Sequence, residues 1–133
     1  MIRFTIPGEP FGKQRPRVTK FGTYTPEKTA NYENLVKLCF RQEHKGKLLE
    51  GPLDISITAY YPVPKSTSKK KAGLMLAQLI RPTKKPDCDN IVKIVCDALN
   101  NIAYKDDAQV VSCKVSKFYS DRPRVVVKLE ELI

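Results

Sequence analysis

Between Lys84 and Gln109 the chain reads KKPDCDNIVKIVCDALNNIAYKDDAQ, and this stretch narrows the possible folds more than any other. Pro86 disfavours the α conformation in the residue before it, so a helix here starts only behind the proline. From Asp89 onward, at ~100° per residue, Ile91, Ile94, Val95, Ala98 and Ile102 gather on one side. Asp89, Lys93, Cys96 and Asn100 gather on the other, with Asp97 at the margin. The segment therefore predicts a helix with one face for a core and one polar face. Asp87 and Asp89 fall at or just before its N-terminus, where the dipole and free N–H groups favour negative charge. A second acidic pair, Asp106 and Asp107, arrives just ahead of another strand.

These carboxylates stand out because the chain as a whole is basic. It carries 24 Lys and Arg against 14 Asp and Glu, a net charge of +10. Charge of that size points to nucleic acid or an anionic surface as partner. Carboxylates concentrated inside a cationic chain suit a divalent metal held for work on a phosphate backbone. Mg²⁺ prefers hard oxygen ligands and takes one or two protein carboxylates, with substrate phosphates and water completing its shell. Each residue also has an ordinary reading. Asp89 alone would serve as an N-cap, and Lys93 with Asp97 as an i,i+4 surface pair worth a few tenths of a kcal/mol.

The rest of the chain predicts the sheet that such a helix needs. Ile2 to Ile6 alternates as a short strand ended by Pro7-Gly8. Lys13, Arg15, Arg17 and Lys20 then lie among prolines and glycines in a loop, read either as a phosphate-contacting arm or as a solvated loop. Thr25 as N-cap and Pro26 at the first position open a helix to about Arg41, with Tyr32, Leu35, Val36, Cys39 and Phe40 buried. Leu53 to Tyr61 alternates as a strand, ended by Pro62 and Pro64. Ser66 to Leu79 reads as a second helix with Lys69, Lys70 and Lys71 in its first turns. The dipole there prefers acids, which hints at an external anion, although a solvated charge run explains the same residues. Lys84 and Lys85 lead into the acidic stretch, and Val110 to Phe118 and Val125 to Leu129 follow it as strands joined in an antiparallel hairpin. This order predicts a single α+β domain over residues 1–133, a mixed sheet of about four strands with about three helices packed on it.

Several classes of function drop out. Cys39, Cys88, Cys96 and Cys113 lack the CxxC spacing of a zinc site, and one histidine, His44, makes Ser-His or His-metal chemistry improbable. No apolar run reaches membrane-spanning length and no signal-peptide pattern opens the chain, so a cytoplasmic location is expected.

The string Pro86-Asp87-Cys88-Asp89-Asn90-Ile91-Val92-Lys93, then Asp97-Ala98-Leu99-Asn100, then Asp106-Asp107-Ala108-Gln109-Val110 resembles the RusA family of Holliday junction resolvases, the crossover junction endodeoxyribonucleases. By position, the resemblance implies that Asp87, Asp89 and Asp107 bind the metal and that Lys93 is catalytic. The metal it implies is Mg²⁺, for which Mn²⁺ can substitute. Asp106 would stand behind the ligands, and Asp97 would pair with Lys93. Cys88 occupies a place where the family more often has an aliphatic residue, and the segment between Tyr61 and Lys84 is longer than in compact members. Family members carry a similar K-x-R-P-R loop after the first strand, which supports Lys13, Arg15, Arg17 and Lys20 as DNA contacts, with Lys69, Lys70, Lys84 and Lys85 alongside. The expected activity is Mg²⁺-dependent resolution of four-way DNA junctions by a homodimer, without membrane or small-molecule cofactor. Two other readings fit the same residues: a Mg²⁺ nuclease acting on flaps or forks, and a non-catalytic basic DNA-binding module.

Overall fold

Strict alternation builds the centre of the sheet. In β4 (Leu53–Pro62) every second residue is buried, namely Leu53, Ile55, Ile57, Ala59 and Tyr61. Asp54, Ser56, Thr58 and Tyr60 lie on the opposite face, as a period of two requires. With β1 (Ile2–Pro7), β5 (Val110–Ser120) and β6 (Arg124–Glu131), β4 forms a four-stranded mixed sheet in the order β1-β6-β4-β5. β6 is antiparallel to both β1 and β4, whereas β4 and β5 are parallel. The computed structural model describes residues 1–133, apart from the side chains of Arg17 and Tyr24.

The last two strands do not form the hairpin that the turn residues predict, because β4 lies between them. Ser120 at the end of β5 pairs with Pro62, and Arg124 at the start of β6 pairs with Tyr60. The turn Asp121-Arg122-Pro123 therefore passes over the end of β4. Two inter-strand spacings are ~10 Å, within the reach of a link this short. Burial explains the preference. Val125, Val126 and Val127 are all buried, and an apolar run with no alternation belongs in the interior of a sheet.

Three helices supply the cover. α1 (Glu27–Glu43) buries Val36, Cys39 and Phe40, with Tyr32 and Leu35 partly buried beside them. The Phe40 ring meets Phe4 of β1 edge-on, with centroids 5.6 Å apart. The expected Thr25 cap is not formed; buried Pro26 takes an extended ψ of 144° in the cap position, and the helix starts behind it. α2 (Lys69–Leu76) is shorter than its pattern, starting at a Ser68 cap that accepts from the Lys71 N–H and giving way before Gln78, whose φ is 67°. α3 (Cys88–Leu99) presses Ile91, Ile94, Val95, Ala98 and Leu99 into the core. Cys96, expected on the polar face, is buried as well, under Tyr104, whose hydroxyl donates to the Cys96 carbonyl at 2.8 Å.

Within the arm read as a loop, β2 (Arg17–Thr19) and β3 (Gly22–Tyr24) pair as a small antiparallel hairpin. Its tip, Lys20-Phe21, lacks the Asn-Gly or Asp-Gly signal that marks such turns in a sequence. Gly22, at φ 126°, supplies the left-handed residue instead. Among the described residues no helix is long and apolar enough to cross a membrane.

Candidate active site

α3 begins directly behind Pro86, whose peptide bond with Lys85 is cis. Two long side chains fasten this junction to the sheet. The Tyr61 hydroxyl of β4 donates to the Pro86 carbonyl at 2.6 Å, and the Lys117 ammonium of β5 donates to the Lys84 carbonyl at 2.6 Å. Asp87 holds the cap position, yet its side chain makes no cap hydrogen bond, and Asp89 sits in the first turn. Both are exposed. The ordinary reading of Asp89 as the N-cap therefore does not describe this helix.

Opposite the polar face of α3 stands a 3-10 turn, Asp107–Gln109, that leads into β5. A reciprocal capping box shapes it. The Asp106 carboxylate accepts from the Ala108 N–H at 3.3 Å, while the Gln109 amide oxygen accepts from the N–H groups of Lys105 and Asp106. The Gln109 amide nitrogen then donates to the carbonyls of Leu49 and Gly51, both at 3.1 Å, tying the turn to the approach of β4. Gln109 was not among the expected functional residues. Its signal was present in the sequence, since Asp106 and Gln109 stand at capping-box spacing.

Between helix and turn lies a cleft of about 340 Å³ lined by Asp89, Lys93, Cys96, Asp97, Asp107 and Cys113. The fold thus joins Asp89 and Asp107, far apart in sequence, across one opening with Lys93 at its rim. Asp87 is separate: it lines a neighbouring hollow with Lys13, Lys85, Pro86 and Asn90. Burial raises the pKa of Asp107, and the negative charges of Asp106 and Asp97 raise it further, with Lys93 pulling the other way. A carboxylate crowded by like charges is one that a divalent cation would relieve. Among the described residues no three carboxylate, thiol or imidazole groups converge into a ready-made metal cage. A cage is not what Mg²⁺ demands, since substrate oxygens and water complete its shell, so the Asp89 and Asp107 donor set fits it.

The basic residues divide into two kinds. Lys13 is turned inward: its N–H donates to the Asn90 carbonyl, and its ammonium meets Glu33 at 2.8 Å and Asp97 at 3.4 Å. Burial works against this charge, but Glu33 and Asp97 outweigh it and raise the pKa. Arg15, Lys20, Lys69, Lys70, Lys84 and Lys85 are exposed. Arg15 borders the cleft, in a hollow shared with Asn90, Lys93 and Asp97. Lys20 lies over the Phe21 ring at 5.2 Å, at the tip of the hairpin. The Arg17 side chain lies outside the described residues.

The arm reaches the site through Gly12. A Cβ there would meet the Pro86 Cβ at 2.8 Å and the Asn90 Cβ at 3.1 Å, both anchored by the start of α3. Gly12→Ala is expected to push the arm off α3 and to cost ~1–3 kcal/mol, as overpacking of a tight contact does. Urea denaturation measures it, and an unchanged midpoint would mean that the arm yields without strain.

Two similarities bear on this arrangement. The family model described as endodeoxyribonuclease RusA matches residues 7–130, from the end of β1 through β6. The protein YqaN of Bacillus subtilis (strain 168), described as uncharacterized, is 44% identical over 137 residues, covering 98% of this chain and 96% of its own length. Both similarities span the arm, α3 and the Asp107 turn together.

Proposed function

We propose, on the premise that this chain belongs to the RusA family of endodeoxyribonucleases, that it cuts four-way DNA junctions with Mg²⁺, in pairs of incisions made by a two-fold dimer. The enzyme is an endodeoxyribonuclease of a family that resolves Holliday junctions; the metal, the pairing and the dimer are what the proposal adds. One observation carries it: Asp89 and Asp107 line one cleft beside Lys93 in a chain of net charge +10.

Asp89 and Asp107 would hold Mg²⁺ across the cleft, with Asp87 reaching it from the adjoining hollow, its carboxylate left free by the helix cap. When bound, the ion supplies a Lewis acid for the phosphate and a readied water. Lys93 would meet the charge that develops on the scissile phosphate. Arg15 beside the cleft, with Lys20, Lys84 and Lys85, would draw the backbone in by displacing its counterions. Each chain offers one such set of carboxylates, and resolving a junction into two intact duplexes takes two symmetric cuts. A closed dimer is the simplest device that supplies them. The four free cysteines suit a reducing, cytoplasmic setting.

The test compares a four-way junction, a fork and a linear duplex with Mg²⁺, alongside a supercoiled cruciform plasmid and light scattering. The expected result is preferred cutting of the junction, mainly linear plasmid product and a dimeric mass. Cutting of all three DNAs at one rate, or a monomer giving only nicked circles, would sink the proposal.

A further inference from the structure

The ion pairs found among the described residues all belong to one chain of four groups. Glu33 of α1 meets the Lys13 ammonium at 2.8 Å, Lys13 meets Asp97 Oδ2 at 3.4 Å, and the same Oδ2 meets the Lys93 ammonium at 3.2 Å. The side chains of Glu33, Lys13 and Asp97 are 15%, 18% and 21% exposed, whereas Lys93 is 62% exposed. Three members are thus partly buried, and the fourth hangs over the cleft.

A single i,i+4 partner would neutralise Lys93 and hold it against its own helix. Here one carboxylate carrying one negative charge is divided between two ammonium groups. Lys13 has its short bond to Glu33 and a contact of 3.4 Å to Asp97, while Lys93 makes contacts of 3.2 and 3.5 Å to the same carboxylate. Charge-assisted bonds run at ~2.7–2.9 Å when well formed, so the hold on Lys93 is slack. We infer that Lys13 is a positioning residue: by sharing Asp97 with Lys93 from the less exposed side, with Glu33 fixing it in place, it leaves Lys93 tethered at the rim but free to turn onto a phosphate. The inference rests on the reading of Lys93 proposed above. It also gives the base of the arm a role other than binding DNA, since it couples the arm to the lysine through Asp97.

Replacing Lys13 by Met leaves Lys93 as the remaining cation of Asp97 in this chain of four, and Lys93 is drawn in. The cleavage rate kcat on junction DNA should then fall ~10-fold with KM nearly unchanged, a coupling of the size usual between touching groups. Adding Asp97→Asn removes the trap and should restore most of the loss. If Lys13 is only a strut, or only a phosphate contact, the second substitution adds damage or changes nothing, and the inference falls. Lys13→Gln repeats the test should the Met variant fold poorly. A readout without metal or DNA separates this from the proposed activity: nitrogen-15 NMR of the lysine ammonium groups. In the parent the Lys93 ammonium should exchange its protons freely; in Lys13→Met it should become protected, and in the double variant free again. A Lys93 signal indifferent to Lys13 overturns the inference whether or not the parent cuts DNA. A parent that does not cut junctions overturns the proposed function and leaves the NMR result to decide the tether.

Discussion

Asp107→Asn is expected to lower junction cleavage by at least ~10³-fold while leaving junction binding intact or tighter. The substitution keeps the side-chain volume and removes one of the three carboxylates, Asp89, Asp97 and Asp107, that line the cleft. It also removes negative charge from a surface that receives a polyanion. Stability should move in the opposite direction from activity. Burial and the neighbouring Asp106 and Asp97 raise the pKa of Asp107, so its ionised form costs the folded state free energy. For an acid whose pKa is raised on folding, that cost is present at neutral pH and disappears as pH falls below the carboxylate range. The Asn variant should therefore unfold at a slightly higher temperature than the parent at pH 7, with the difference fading in acid. An Asp107→Asn protein that cuts near the parental rate removes this residue from the site, whatever its stability.

Lys93→Ala should lower the cleavage rate ~10²-fold, the size seen when a single electrostatic stabiliser of a transition state is lost. The same change should cost well under ~1 kcal/mol of stability, because an exposed pair of this kind contributes little to folding. The Lys93 side chain is 62% exposed, and its contacts with Asp97 are 3.2 and 3.5 Å. A large kinetic effect with almost no change in unfolding is thus the signature of a group that serves the reaction. Unchanged kinetics would decide for the ordinary surface pair.

Much of this site is written in short-range order. The amphipathic period of α3 is visible from Ile91 to Ala98, and the proline that limits its start stands beside it. What periodicity cannot see is how a face is covered. Cys96 falls on the polar side by angle, and it is buried because the segment after the helix folds Tyr104 back onto it. The expected hairpin failed for a related reason. Turn residues report local geometry, whereas the place of β6 depends on which strand its valines can bury against. The grouping of the carboxylates shows the same limit. Asp87 and Asp89 are nearly adjacent in sequence yet line different hollows, because residues two apart at the start of a helix point to different sides.

By itself the sequence determined the α+β class, the helix that carries Asp89 and Lys93, and the basic surface around them. Helix period, strand alternation and net charge are set by composition and by neighbours a few residues apart. Only the tertiary structure decided that Asp107 faces Asp89, that Gln109 anchors the turn between them, and that Lys13 pairs with Glu33 rather than facing solvent. Those outcomes depend on contacts across 20 residues for Lys13 with Glu33 and 60 for Gln109 with Leu49. Such contacts form only where packing of the core brings the segments together, and no local pattern encodes which segments will meet.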